Sequence, residues 1–181
     1  MLFCDRLSDE VWASAPRRQR HRELAEILTD FALSFPSLSY RPVLDARAIN
    51  AQAVTTTSGR HINIYGGLAF HPGIGTDSLV LTLLHETGHH LSVGRRSQIN
   101  QTIACECEAD YWAITTGAAL LADRSGRTFL LTRALEELSA LHSLDQTDSN
   151  SADNTNCWSR GWSIRKQALL AKTPLCGSCF N

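Results

Sequence analysis

The segment His85-Glu86-Thr87-Gly88-His89 constrains the fold more than any other part of this 181-residue chain. Two histidines four residues apart share a face only on a helix, where both imidazoles can bind one metal ion. Neutral imidazoles suit zinc. Glu86 lies about 100° around such a helix, so it would stand beside the metal and could take a proton from a water held there. The segment therefore predicts a helix that carries a zinc site with a base next to it.

The residues around this segment predict that the helix is buried. Apolar residues at helical spacing precede the histidines, namely Leu79, Val80, Leu83 and Leu84. The expected N-cap is Thr76 or Asp77, and the helix should run to about Leu91, with Gly94 just past its end.

A catalytic zinc site needs a third protein ligand and an open position, and a later helix supplies a candidate. Glu106 and Asp110 are four residues apart and share a face, whereas Glu108 is turned roughly 200° away from Glu106. We therefore expect Glu106 to bind the metal and Asp110 to accept a hydrogen bond from the ring N–H of a liganding histidine. Glu108 is the alternative carboxylate, and a thiolate from one of the cysteines that flank Glu106 is a further alternative.

These motifs resemble those of the gluzincin class of metallopeptidases, in which HExxH on one helix is followed by ExxxD on a later one. The segment Glu106–Ala113 is similar to the E-x-E-A-D-x-(W/F)-A stretch of HtpX-like and prenyl-protein-protease-like enzymes and of the ImmA/IrrE-like group. Upstream residues resemble the N-A-x-A…G…I-x-(V/I)…G-L run of the HtpX-like enzymes, namely Asn50–Ala53, Gly59, Ile62, Ile64 and Gly67-Leu68. The resemblance covers roughly residues 49–115.

The resemblance implies a zincin-like fold, one bound Zn²⁺, and a peptide or protein substrate. In the HtpX-like families the N-A-x-A strand rims the cleft and pairs with extended substrate, which implies substrate contacts at Ala51, Gln52 and Ala53. Gluzincins commonly bring a His, Tyr or Arg from a downstream helix to the developing oxyanion, and Arg160 and Arg165 are the candidates here. The HtpX-like and prenyl-protease-like enzymes are membrane proteins, and the ImmA/IrrE-like group often carries a DNA-binding or sensor domain; we expect neither feature here.

The patterning along the chain predicts one α+β domain over residues 1–181. A helical N-terminal extension, 1–36, has Pro36 as its stop and Pro16 as a possible break. A short, antiparallel-rich β-sheet follows, with a hairpin turn at Ser58-Gly59. Its expected strands are Leu38–Leu44, Ile49–Thr56 and Arg60–Tyr65.

Several helices are expected after the active-site helix. They cover Ser97–Leu121, Arg127–Leu144 and Trp158–Lys172. Residues 145–156 are almost wholly Asp, Ser, Asn and Thr, which predicts a polar linker. Residues 157–181 then hold the last helix and a tail.

Composition limits the partners that we expect. The net charge is -1 and the pI about 6.6, so a nucleic-acid partner is not expected. No apolar run approaches the ~20 residues of a membrane span, and charged residues precede any apolar core near the N-terminus. We therefore expect a soluble, cytoplasmic protein whose six cysteines are reduced thiols. Cys176 and Cys179 have metal-knuckle spacing, so a second zinc site is an alternative.

The expected function is zinc-dependent peptide-bond hydrolysis with Glu86 as the general base. The alternative is a non-catalytic, zinc-stabilised regulatory or protein-interaction module. A purely structural site has no use for a carboxylate beside an open coordination position, so Glu86 favours hydrolysis. A third possibility is a peptidase held latent by its N-terminal helix or its C-terminal tail.

Overall fold

The computed structural model of the protein describes residues 2–15, 17–97, 100–144 and 162–173, with the backbone alone for residues 2–5 and 142–144. Within these residues, helices combine with one small sheet, which is compatible with the α+β expectation. The elements in chain order are β1 (Leu2–Arg6), α1 (Asp9–Ser14), α2 (Arg17–Ser34), β2 (Ser39–Val43), β3 (Ala48–Thr56), β4 (Gly59–Tyr65), α3 (Gly66–Ala69), α4 (Thr76–Leu91), α5 (Glu106–Trp112), a π-helix (Ala113–Gly117), α6 (Ala118–Ser125), α7 (Leu131–Leu144) and α8 (Trp162–Ala171).

The N-terminal 36 residues are not purely helical, and this part of the prediction was wrong. Strand β1 comes first and pairs with β3. Ser8 then begins α1 by accepting a hydrogen bond from the N–H of Val11. Helices α1 and α2 are separate, with a break around Pro16, which itself lies outside the described residues.

The sheet has the strand order β1-β3-β4-β2. Strands β3 and β4 form the expected hairpin, and Gly59 at its turn has a φ of 127°, a conformation that costs glycine little. Strand β1 is antiparallel to β3, whereas β2 is parallel to β4. Two of the three pairings are therefore antiparallel, as predicted.

Helix α4 runs through the core. Every residue from Ser78 to His90 is buried. The helix begins one residue earlier than expected, with Gly75 as its N-cap instead of Thr76 or Asp77. The N–H of Gly75 donates to Oε2 of Glu137, at 2.7 Å, so a side chain from α7 satisfies the start of α4.

The helix predicted over Ser97–Leu121 was wrong at Ser97 and over residues 100–105. The described residues between Ser97 and Cys105 are not helical, and Gln98 and Ile99 lie outside the description. The N–H of Ala104 donates to the carbonyl of His89 at 2.7 Å, and the N–H of Cys105 to that of Arg95 at 2.8 Å. These bonds hold the loop against the end of α4, so α5 can begin only at Glu106.

Helix α7 begins at Leu131, later than the predicted start at Arg127. The predicted start of the last helix, Trp158, lies outside the described residues. The predicted polar linker, 145–156, lies outside the described residues, as do residues 157–161 and 174–181. One cluster of buried apolar side chains extends from Leu7 to Leu169 and includes residues of α2, the sheet, α4, α7 and α8. Among the described residues, no helix is long and apolar enough to cross a membrane.

Candidate metal centre

His85 and His89 project from the same face of α4, as their spacing predicts. Their ring centroids are 4.6 Å apart and the rings are nearly perpendicular, at 82°. Nδ1 of His85 lies 2.8 Å from Oδ1 of Asp110, and Nδ1 of His89 lies 2.8 Å from the carbonyl oxygen of Ala104. Both neighbours are acceptors, so each Nδ1 carries the proton. In the neutral form of each ring, Nε2 then holds the lone pair that a metal requires.

The Glu106 carboxylate faces both of these lone pairs from the first turn of α5. Its Oε2 lies 3.2 Å from Nε2 of His85, and its Oε1 lies 3.3 Å from Nε2 of His89. Two atoms bound tetrahedrally to zinc at about 2.0–2.1 Å are separated by roughly 3.3–3.4 Å. Each histidine thus lies at the spacing of zinc ligands from one oxygen of Glu106.

Two polar atoms at the centre lack hydrogen-bond partners within the described part of the chain. Nε2 of His85 and Oε2 of Glu106 are both buried and have no hydrogen-bond partner among the described residues. A buried polar atom without a partner is costly, and a metal ion would satisfy both atoms. Ligand atoms of His85, Glu86 and His89 also lie within 4.8 Å of one another, so the donor set suits a metal ion.

The charges at the centre are strongly coupled. Burial alone would lower the pKa of His85, but the carboxylates of Glu106 and Asp110 raise it above its usual value. Burial would raise the pKa of Glu106, and nearby positive charges, those of both imidazoles among them, instead hold it well below its usual value. Metal binding would therefore compete with a proton on His85.

Glu86 lies beside the three converging side chains. Its Oε2 accepts a hydrogen bond from the N–H of Ala53 at 2.8 Å, and its Oε1 lies 3.9 Å from Nε2 of His85. Burial would raise the pKa of Glu86, but positive charges that include both imidazoles lower it overall. The carboxylate is therefore ionised, and the sheet holds one of its oxygens.

Asp110 links the two helices of the centre to α8. Besides His85, it accepts two hydrogen bonds from Arg165, from Nε to Oδ2 at 2.7 Å and from Nη2 to Oδ1 at 2.8 Å. Burial would raise the pKa of Asp110, but the Arg165 guanidinium and His85 hold it well below its usual value. The place predicted for Asp110, on the non-ligating nitrogen of a histidine, is the place where the structure has it.

Arg165 is engaged in a different way from the predicted one. Its Nη1 lies 3.3 Å from Oε2 of Glu106, and its other two nitrogens bind Asp110. All three nitrogens contact carboxylates of α5, so the contacts that the structure shows for Arg165 position these carboxylates. Arg160, the other predicted candidate, lies outside the described residues.

Gly88 lets the two helices of the centre approach each other. A Cβ added to Gly88 would lie 2.8 Å from the carbonyl oxygen and 3.0 Å from Cα of Ala109. Any larger residue would separate α4 from α5 and move Glu106 away from the histidines. This close approach at Gly88 was not predicted from the sequence.

The three residues predicted to contact substrate lie on β3, next to the centre. Ala51 and Ala53 are buried, whereas Gln52 is exposed and its Oε1 accepts a hydrogen bond from the hydroxyl of Tyr65 at 3.3 Å. Of the three, Ala53 touches the centre directly, through the N–H that binds Glu86.

Two contacts of the centre were not predicted. The carbonyl of Ala104, which orients His89, is a backbone atom and leaves no signal in the sequence. Tyr40 of β2 donates from its hydroxyl to Oγ1 of Thr87 at 2.9 Å, since Thr87 itself donates to the carbonyl of Leu83. Burial raises the pKa of Tyr40 well above its usual value, so the phenol stays protonated and ties α4 to the sheet.

The alternative ligands are placed elsewhere. The Glu108 carboxylate lies against Gly94, with Oε2 3.5 Å from Oγ of Ser92. Cys107 is disulfide-bonded to a cysteine whose side chain lies outside the described residues, so the expectation that every cysteine is reduced was wrong for Cys107. Burial raises the pKa of the Cys105 thiol, which disfavours the thiolate that a metal needs. Cys176 and Cys179 lie outside the described residues.

In comparisons with known proteins, no protein-family model, no curated protein and no solved structure matches this chain.

Proposed function

We propose that this chain is a zincin-like, gluzincin-type endopeptidase that hydrolyses peptide bonds with one zinc ion bound by His85, His89 and Glu106. The observation that carries the proposal is that the Nε2 atoms of two imidazoles lie within 3.3 Å of one carboxylate. A second, ionised carboxylate, that of Glu86, stands beside them. A metal that only stabilised the fold would need the ligands but would not need the additional carboxylate of Glu86.

The residues divide the work as follows. Zinc, when bound, would act as a Lewis acid and lower the pKa of a water molecule toward neutrality. Glu86 would accept the proton from that water and deliver it to the departing amine. The N–H of Ala53 holds Oε2 of Glu86 and so fixes the direction in which Oε1 points. Asp110 and Ala104 keep both histidines in the tautomer with a free Nε2.

The substrate we propose is an extended peptide or protein segment. The strand that carries Ala51–Ala53 brings backbone donors and acceptors beside Glu86. An extended chain could add to this strand through main-chain hydrogen bonds, which would set its carbonyl groups in line with the base.

The test is the substitution Glu86→Gln, which keeps the shape of the side chain and removes the base. We expect about one zinc per chain in both proteins and hydrolysis of unstructured peptides that falls by about 10²- to 10⁴-fold in the variant. Zinc content is measured by mass spectrometry and hydrolysis with a fluorogenic peptide library. Glu136→Gln, on the exposed face of α7, is the matched control and should leave both values unchanged. Cleavage by Glu86→Gln at the wild-type rate would refute the proposal.

One observation favours the alternative of a non-catalytic zinc module. The side chains of His85, Glu86 and His89 are only 1%, 2% and 5% exposed. A substrate cannot reach a base that is buried to this extent unless some part of the protein moves. The alternative holds if zinc stabilises the fold and no peptide is cleaved under any condition.

A further inference from the structure

The outer edge of β3 is the one that faces the candidate metal centre. The N–H of Ala53 points away from β4, because it donates to Glu86. Backbone groups of alternate residues in a strand point to the same side, so those of Ala51 point to this edge as well. Any chain that adds to this edge near residue 53 therefore lies beside the catalytic carboxylate.

The protein's own first strand lies on that edge. Strand β1 pairs with β3 in an antiparallel register, with Leu2 opposite Asn50 and Arg6 opposite Ala48. The next residue, Leu7, donates its N–H to the carbonyl of Arg47 at 3.1 Å and is buried. The edge next to residues 48–50 is therefore covered by β1.

The direction of β1 is that of a substrate. From Arg6 back to Leu2 the chain moves from Ala48 to Asn50, which is toward Ala53 and Glu86. A peptide that paired with β3 in the same antiparallel sense would place the residues that follow its scissile bond beside residues 48–50. Strand β1 lies where this C-terminal part of the substrate would lie.

Only a short segment would have to leave. Strand β1 is five residues long and is a terminal strand of the sheet, so a competing chain could replace its backbone bonds one for one. A tethered segment competes at an effective concentration in the millimolar range. A peptide at micromolar concentration that binds β3 no more tightly than β1 does would therefore not displace it. A segment that binds β3 much more tightly would displace β1.

We propose that β1 (Leu2–Arg6) is an internal competitor that occupies the half of the substrate groove next to residues 48–50, so that hydrolysis requires its displacement. This inference rests on the proposed peptidase function. It also accounts for the burial of His85 and Glu86, because β1 occupies the groove in this structure. The ligand that replaces β1 is an extended polypeptide segment that pairs with β3 through its backbone.

Binding is tested first, without reference to catalysis. The probe is a fluorescent peptide with the sequence of residues 1–6, in which Ser replaces Cys4 to avoid oxidation. We expect saturable binding, measured by fluorescence anisotropy, to a variant that lacks residues 1–6, and binding at least about tenfold weaker to the full chain, where tethered β1 competes. A control peptide with proline at positions 3 and 4 has lost one backbone donor on each face and should bind much more weakly. Absence of binding to the shortened variant, or equal binding to both proteins, overturns the proposal.

Hydrolysis is tested second, also in a full-length variant. Prolines at Phe3 and Cys4 remove at least one donor toward β3, because neighbouring residues alternate in direction. We expect this variant and the shortened chain to cleave an unstructured fluorogenic peptide faster than the wild type, mainly through a lower KM, and the probe peptide to inhibit both competitively. If hydrolysis is equally fast with and without β1, the proposal is wrong. If the probe binds only the shortened chain and no variant cleaves any peptide, β1 is a competitor for the groove and the peptidase function fails instead.

Discussion

At the scale of the residue, Asp110 connects more parts of the candidate centre than its neighbours do, because both a histidine and an arginine donate to it. Its Oδ1 accepts from both His85 and Arg165, and its Oδ2 from Arg165 alone. Burying a carboxylate and a guanidinium is costly unless each is paired, and here the pairing is bidentate. Arg165 also reaches Glu106, so one buried cation neutralises part of the negative charge that the centre collects. The two carboxylates of α5 can thus remain ionised close together.

The assignment of Glu106 instead of Glu108 as the third ligand can be tested by two matched substitutions. Glu106→Gln replaces the carboxylate that faces the histidines by a neutral amide. Loss of a residue that only hydrogen-bonds to a metal ligand lowers metal affinity by roughly 10–100-fold, and we expect zinc affinity to fall at least as far here. Glu108→Gln changes a carboxylate that lies against Gly94 and should keep the affinity of the wild type. Competition titration with a chromophoric chelator measures both. Equal loss in the two variants would contradict the assignment.

The residues that meet at the centre could be predicted where helical spacing alone decides their position. Four-residue spacing places His85 beside His89 and Glu106 beside Asp110 on any helix, and the structure brings these pairs together. The partners of Arg165 could not be predicted, because they depend on how α8 packs against α5. The carbonyl of Ala104, which orients His89, belongs to a loop whose course depends on hydrogen bonds to α4. No side-chain pattern in the sequence predicts the position of this carbonyl.

At the scale of the element, the contact of α4 with α5 decides whether the ligands can meet. The sequence predicted both helices, but it placed the start of the second helix at Ser97, whereas α5 begins at Glu106. The segment that follows Ser97 contains no proline or glycine that would end a helix. Its backbone hydrogen bonds to Arg95 and His89 explain why its described residues form a loop. The π-helix at Ala113–Gly117 is likewise invisible to spacing arguments. It lies where Gly117 packs against Trp112, with no room for a side chain, and such wide turns often occur near functional sites.

Gly88→Ala tests this helix contact. The added methyl group would overlap the backbone of Ala109, and overpacking of this kind costs about 1–3 kcal/mol, against roughly 1 kcal/mol gained from helix propensity. We therefore expect lower stability and weaker zinc binding together, measured by thermal unfolding and by chelator competition. Gly73→Ala meets only the ring of His71, at 3.3 Å, and serves as the control with little effect on either. Unchanged zinc affinity in Gly88→Ala would show that the approach of the helices does not set the ligand geometry.

The start of α4 depends on Glu137, and this dependence should vary with pH. The carboxylate accepts from the N–H of Gly75 and from Oγ of Ser78. Burial would raise its pKa, but these bonds and Arg133 lower it below the usual 4.5. A lowered pKa contributes stability above the unfolded value and loses it as the pH falls. At pH 7 we expect Glu137→Gln to cost about 1–2 kcal/mol.

The measurement is urea unfolding of Glu137→Gln and wild type between pH 7 and pH 3. The difference in free energy of unfolding should be largest at pH 7 and should shrink below about pH 4.5, when the wild-type carboxylate takes up a proton. Glu136→Gln, an exposed neighbour on the same helix, should differ from the wild type by little at any pH. A difference that stays constant down to pH 3 would mean that the charge of Glu137 plays no part in holding α4.

At the scale of the whole molecule, the metal centre joins parts that are far apart in the chain. The sheet reaches it through Ala53, α4 through both histidines, α5 through Glu106, and α8 through Arg165. Each of these elements also contributes apolar side chains to the core or packs against it. A ligand that binds here therefore stabilises the folded chain as a unit and not one helix alone.

Removal of zinc should consequently lower the melting temperature of the whole protein. Zinc binds the folded chain at a site that the unfolded chain does not form, so at a free concentration of 100 Kd it adds about 2.7 kcal/mol. For a domain of this size we expect a fall of roughly 5–12 °C after chelation, restored by zinc and measured by scanning calorimetry. The Glu86→Gln variant should shift as far as the wild type, because it keeps the proposed ligands, whereas Glu106→Gln should shift much less. If every variant melts at the same temperature with and without zinc, the centre does not bind the metal in the folded protein. If the shift is present and the shortened chain without β1 still cleaves nothing, the zinc serves the fold alone, because neither a missing metal nor a filled groove then explains the inactivity.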